Sequence, residues 1–226
     1  MNRNAQAVVL AAIGAVALRV GATDEYARYV NDWMKWPLVV SGVAMVALAF
    51  LAVFSRSHDD DQASPAVWAL LLPVVVAFVV QPPALGAYVA ERRANDVAAV
   101  RLDKAAVAPL PTGEVNDMLV SEFVAYASVY PEVLTDRQVR LVGFVTRDDE
   151  GWYVTRLSIS CCAADALAFR VRAAGPDGSE VPAEEQWVEV VGTWVSGTGE
   201  GIGATDAPVL EVAEVVPTAA PKRPYE

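Results

Sequence analysis

The stretch RLSISCCAADALAFRV, residues 156–171, holds the only two cysteines of the chain, Cys161 and Cys162, side by side. Adjacent thiols can bind a soft metal or exchange with a disulfide. They can also do no chemistry, as small apolar residues packed in a strand. Consecutive α-carbons lie only about 3.8 Å apart, below the usual separation across a disulfide, so a bond between the two would be strained and easily reduced. In a regular strand their side chains would point to opposite faces and could share no ion. They cooperate only if the strand ends near Ser160 and the chain turns. AADA favours a helical turn, in which Cys161 and Asp165 face the same way. Cys161, Cys162 and Asp165 are therefore the candidate metal ligands, beside the alternative of a purely structural pair. No cofactor is expected unless this group takes zinc or another soft metal.

A second candidate ligand is His58, the only histidine, in the loop SRSHDDDQA with Asp59, Asp60 and Asp61 behind it. Imidazole and carboxylates in one loop suit a divalent cation, but three consecutive aspartates lack the EF-hand spacing. A solvated polar loop is the simpler reading. A tetrahedral zinc site needs four ligands. Without a histidine beyond residue 58, the second half of the chain offers two thiolates plus carboxylates, so a closed structural zinc site is not expected. The chain has no CxxC, GxSxG or phosphate-binding loop. The acidic pairs Asp148–Asp149 and Glu184–Glu185 fall in turns and read as solvated charge. Catalysis is not expected.

The elements around these residues divide the chain in two. Of 226 residues 54% are hydrophobic, and the net charge is −11. Residues 1–93 hold seven basic and seven acidic side chains, so all of the net charge lies in residues 94–226. An acidic domain repels a phosphate backbone, which excludes nucleic acid as the expected partner.

Residues 1–93 read as a transmembrane region of about three spans, 5–22, 36–54 and 65–90, in contact with the lipid bilayer. The central span is uncharged and begins beside Trp33 and Trp36, as interfacial aromatics do. Arg19 lies near the end of the first span and can snorkel. Pro73 would kink the third, and Pro82 and Pro83 would end it. The expected location is the cell membrane, multi-pass. With three crossings, Arg19, Arg28, Lys35, Arg92, Arg93, Arg101 and Lys104 share the side of the C-terminal domain, and the positive-inside rule leans toward the cytoplasm.

A linker over 94–112 leads to a domain at 113–217. Residues 113–130 show helical spacing through Val115, Met118, Leu119, Glu122, Phe123, Tyr126 and Tyr130, and Pro131 stops the helix. Then the period becomes two. VRLVGFVTRDDEGWYVTRLSIS predicts two strands joined at DDEG. LAFRVRAAG, QWVEVVGTWVSG and PVLEVAEVVPT predict three more. Gly143 and Gly192 fall inside strands, as tight bends require. The fold class is an α+β membrane protein: N-terminal transmembrane helices followed by a small five-stranded OB-like β-barrel. Residues 218–226 read as a disordered tail.

Four stretches then carry a resemblance: YVNDWMKWPLVVSGV (29–43), the acidic loop with His58, QPPALGAYVAER (81–92), and VRLVGFV…RLSISCCAADA…WVEVVGTW. The chain resembles a family of uncharacterised bacterial membrane proteins regarded as permease subunits and encoded beside a larger predicted permease. SCCAADA is the most specific of these motifs. The resemblance implies an accessory or regulatory subunit whose partner is a larger polytopic permease. It implies no established substrate. The histidine-rich second loop frequent in the family implies metal handling; here that loop keeps one histidine. The alternative function is a membrane-tethered thiol or soft-metal protein using the adjacent cysteines.

Overall fold

A computed structural model describes residues 3–54, 69, 71–79, 86, 109–175, 181–201, 204 and 206–226. The chain divides into two compact units, residues 1–84 and 85–226.

In the first unit, α1 (Arg3–Ala22) and α2 (Lys35–Phe54) are long and apolar enough to cross a membrane, a test that a secretion signal also passes. They pack against each other through small residues. A Cβ on Gly14 would lie 2.8 Å from Val46 and 2.9 Å from the Gly42 carbonyl oxygen, and one on Gly42 would lie 3.0 Å from Leu18. Ala7, Gly14 and Gly21 recur every seven residues on α1, as Gly42 and Ala49 do on α2. Small residues at that spacing let two backbones approach closely, the usual device where no water drives helices together. Val40, Val43, Phe50 and Leu51 of α2 face outward, and Trp33 and Trp36 are exposed at its start. The turn between the helices is tied by Tyr26 Oη donating to Asp32 (3.2 Å), an Arg19–Glu25 ion pair (3.4 Å) and the Lys35 ammonium 4.7 Å above the Tyr26 ring. Of the expected third span only Ala69, a helix α3 (Leu71–Val79) and Gly86 are described; the remainder, with Pro82 and Pro83, lies outside the described residues.

The second unit is a six-stranded sheet with a helix against it. The strands are β1 (Val115–Asp117), β2 (Gln138–Asp148), β3 (Gly151–Ser158), β4 (Leu167–Ala174), β5 (Trp187–Trp194) and β6 (Val209–Pro217); α4 (Val120–Val129) follows β1. The order is β1-β2-β3-β4-β6-β5, and β2 pairs in addition with β5. Five strands thus form a ring, bonded unevenly: β4 and β6 are joined in parallel over three residue pairs. Strand β2 serves three neighbours, β1 along Gln138 to Arg140, β5 along Gln138 to Phe144 and β3 from Phe144 to Asp148.

Period-two alternation sends Val139, Leu141, Val145, Val154, Phe169, Val171, Val188 and Val190 to one face, where Phe123, Val124 and Ala127 of α4 join them in the main core. Phe144, Leu157 and Ala168 form a smaller cluster on the other face with Trp187 and Tyr225. The glycines within strands are required by contact. A Cβ on Gly143 would stand 2.6 Å from the Thr155 carbonyl oxygen, and one on Gly192 would collide with the Glu211 carbonyl, next to the irregular pairing after Val191.

Three expectations are corrected. The helix begins at Val120 rather than near residue 113, because Asn116 donates to the carbonyls of Pro111, Glu114 and Gln138 and holds Val115–Asp117 extended along β2. That makes a sixth strand where five were expected. The tail is ordered: Tyr225 bridges Leu157, and the Glu226 carboxylate accepts from the Val120 and Ser121 amides at 3.0 and 2.9 Å.

Candidate functional site

Strand β3 ends at Ser158, two residues before Ser160, so the cysteines lie in a turn and escape the alternation of a strand. Cys162 is extended (φ −155°, ψ 172°), and a 3-10 turn, Ala163–Asp165, follows it. The Asp165 carboxylate reaches back to the start of this loop. Its Oδ1 accepts from the Ser160 amide at 3.0 Å and its Oδ2 from the Cys161 amide at 2.8 Å. The aspartate therefore closes the turn, and in closing it brings its own oxygens beside the sulfurs.

The two Sγ atoms are 3.5 Å apart, joined by a hydrogen bond from the Cys161 thiol and by no disulfide. One ligand atom from each of Cys161, Cys162 and Asp165 lies within 4.8 Å of the others, and all three side chains are half-buried. The structure thus brings together the three residues that the sequence singled out in this segment. The 3-10 turn begins after Cys162, so the cysteines meet Asp165 through the bend at Ser160 rather than along a helical face. His58 and its aspartates lie outside the described residues.

The electrostatics follow from proximity. Hydrogen bonding to the Asp165 carboxylate, then to Cys162, with some desolvation, pushes the Cys161 thiol from 9.0 up to about 12. Desolvation works against ionisation of Asp165, but hydrogen bonds from the Cys161 thiol and from the amides of Cys161, Ser160 and Cys162 hold its carboxyl below the usual range. Without a metal the site is a protonated thiol on an ionised carboxylate. A cation held by all three side chains would need both sulfurs as thiolates, so its entry would release the Cys161 proton and any proton on Cys162.

Sequence reasoning missed Arg156 and Glu226, which support the end of β3. Arg156 shares the inward face of Val154, is 7% exposed, and lies 3.5 Å from Glu226 and 5.0 Å from the centre of the Trp187 ring. An arginine at an inward position of a strand demands a partner. The sequence signalled that demand but not that the partner stands 70 positions further on.

No curated protein and no solved structure matches the chain. The family model described as the DUF1980 C-terminal domain matches residues 111–226, which include β1 to β6, α4, the cysteine turn and the docked tail. That match covers just over half of the chain, which therefore belongs to the DUF1980 C-terminal domain family, an uncharacterised domain family.

Proposed function

We propose that this chain is a membrane-tethered accessory subunit whose C-terminal domain binds a four-coordinate soft divalent ion, zinc first, through Cys161, Cys162 and Asp165. The observation that carries the reading is the 3.5 Å separation of the two sulfurs with a carboxylate beside them. Two thiolates on one tetrahedral zinc, with bonds of about 2.3 Å, stand about 3.8 Å apart. A linear two-coordinate ion would need about 4.6 Å at the same bond length, with the sulfurs on opposite sides of the metal. Asp165 supplies a third, hard ligand that suits zinc better than copper(I). The fourth position is left to water or to a donor from another molecule, which suits an ion that is passed on.

The remaining features fit this role. The ring of five strands, ordered β2-β3-β4-β6-β5 and returning to β2, supports reading the domain as a small OB-type fold, which would serve a loop-borne site rather than nucleic acid. The α1–α2 pair would span the cell membrane as a hairpin, its outward apolar face open to lipid and to the helices of a larger polytopic permease. The subunit would hold and deliver the ion, and the transport path would belong to the partner.

The test uses full-length protein in mild detergent. Titration against a chromophoric zinc chelator should give one ion per chain, and cobalt(II) should give thiolate charge-transfer absorption. Absence of both, with the thiols shown reduced, would end the metal reading. Affinity purification should recover a polytopic membrane protein; repeated recovery of this chain alone would remove the permease partner.

A further inference from the structure

We propose that the docked C-terminal residues are a lock on the cysteine turn: residues 223–226 hold the end of β3, and through it the geometry of Cys161, Cys162 and Asp165. The proposal rests on the metal reading for its consequence, though its physical content concerns the turn alone.

The lock fills a gap created by the sheet. Strand β3 is paired to β2 only as far as Thr155, because the earlier residues of β2 have turned to β5. Beyond Thr155 that side of β3 is open, and the end of the chain occupies it. Tyr225 bridges Leu157 in parallel. The Glu226 amide donates to the Leu157 carbonyl at 2.9 Å. The Glu226 carbonyl accepts from Ser158 Oγ at 3.0 Å and from the Ile159 amide at 3.4 Å. The next two amides, of Ser160 and Cys161, are those held by Asp165. Four consecutive positions, 158 to 161, are thus fixed first by the tail and then by the candidate ligand.

The tail is secured by more than backbone pairing. The Glu226 carboxylate closes the first turn of α4 through the Val120 and Ser121 amides and faces Arg156 at 3.5 Å, and the side chains of that pair are 4% and 9% exposed. Arg156 also donates to the Arg223 carbonyl at 3.3 Å, and the Tyr225 ring packs on the Phe144–Leu157–Ala168 cluster. A segment held by one charge cluster and one ring can detach as a unit while the main core stays folded. Detachment would leave the Ile159 amide without the tail's carbonyl and the turn with fewer constraints, so three ligands would have to be ordered at the cost of binding. By reciprocity, an ion held in the turn would favour the docked tail.

The experiment compares full-length protein in detergent with a variant lacking residues 222–226 and with Glu226→Gln. Two quantities are read: zinc affinity by chelator competition, and the iodoacetamide alkylation rate of the metal-free thiols. The deletion should weaken zinc binding and speed alkylation, each by about ten-fold or more, and Glu226→Gln should move both in the same direction by less. Unchanged alkylation in the deletion variant, with wild-type thermal unfolding, overturns the lock. If the wild type binds no zinc, the metal reading fails and the alkylation rates still decide the lock. If the deletion does not fold, Glu226→Gln decides: alkylation about three-fold faster supports the lock, and an unchanged rate overturns it.

Discussion

Replacing Asp165 by asparagine separates the two roles that its carboxylate plays. In the wild type the carboxylate, followed by the hydrogen bond to Cys162 and some desolvation, pushes the Cys161 thiol from 9.0 up to about 12. At pH 8 that rise lowers the thiolate population by about a thousand-fold, since each pKa unit is a factor of ten below the pKa. The rarer thiolate is also the more nucleophilic, with a Brønsted slope of about 0.5, which returns about thirty-fold. Asp165→Asn leaves the Cys162 and desolvation contributions in place, so the net expectation is alkylation of Cys161 faster by up to about thirty-fold at pH 8 in metal-free protein. The same substitution removes an anionic ligand, so zinc affinity should fall by about ten-fold or more. The wild-type thiol should stay slow throughout the neutral range, with reactivity climbing only as pH rises toward 12. Alkylation followed by mass spectrometry of the Cys161 peptide between pH 7 and 10 reads the first effect, and chelator competition reads the second. An asparagine variant whose Cys161 reacts no faster than wild type would refute the electrostatic account of the turn. One that gains reactivity but keeps full zinc affinity would refute Asp165 as a ligand.

Other outcomes follow from particular contacts. Cys162→Ser should abolish cobalt charge transfer beyond that of a single thiolate and leave far-ultraviolet circular dichroism unchanged, because the residue is half-buried in a turn outside the main core. Phe123→Ala, at a wholly buried position of α4, should cost about 3–5 kcal/mol in urea unfolding. Gly192→Ala should cost about 1–3 kcal/mol, because its Cβ would meet the Glu211 carbonyl and the Leu210 side chain. Burial, followed by the hydrogen bond to Asp148, pushes Tyr153 up to about 12. Since an unfolded tyrosine ionises near 10, the stabilisation is complete below about pH 10 and is lost as pH rises to 12. Absorbance at the tyrosinate band should show a phenol titrating near 12 that Tyr153→Phe removes, distinct from Tyr126, which burial also pushes up.

The legible parts of the fold were those written in local pattern. Alternation located β2 to β6 because one face of each strand must meet the core, and DDEG marked the turn between Asp148 and Gly151. Gly143 and Gly192 marked bends within strands, and the structure added the close neighbours that exclude a side chain there. What failed was decided by distant partners. Val115 to Asp117 fall in a stretch with helical spacing, yet a parallel strand 23 positions later offers their backbone a better match. APKRPYE looks disordered because nothing local orders it; the helix amides, Arg156 and the vacant side of β3 do. For the site, the sequence named Cys161, Cys162 and Asp165 and the condition under which they could act together.

The sequence by itself determined that an apolar stretch of zero net charge precedes an acidic β domain, and that adjacent cysteines cooperate only where a strand stops. These are consequences of composition and of periods of two and 3.6, which need no knowledge of neighbours. Only the tertiary structure decided that β3 stops at Ser158, that Asp165 folds back onto the Ser160 and Cys161 amides, and that the chain's last residues support this arrangement. The reason is physical: an unpaired strand side and an inward arginine must each find a partner, and the one that satisfies both lies at the far end of the chain.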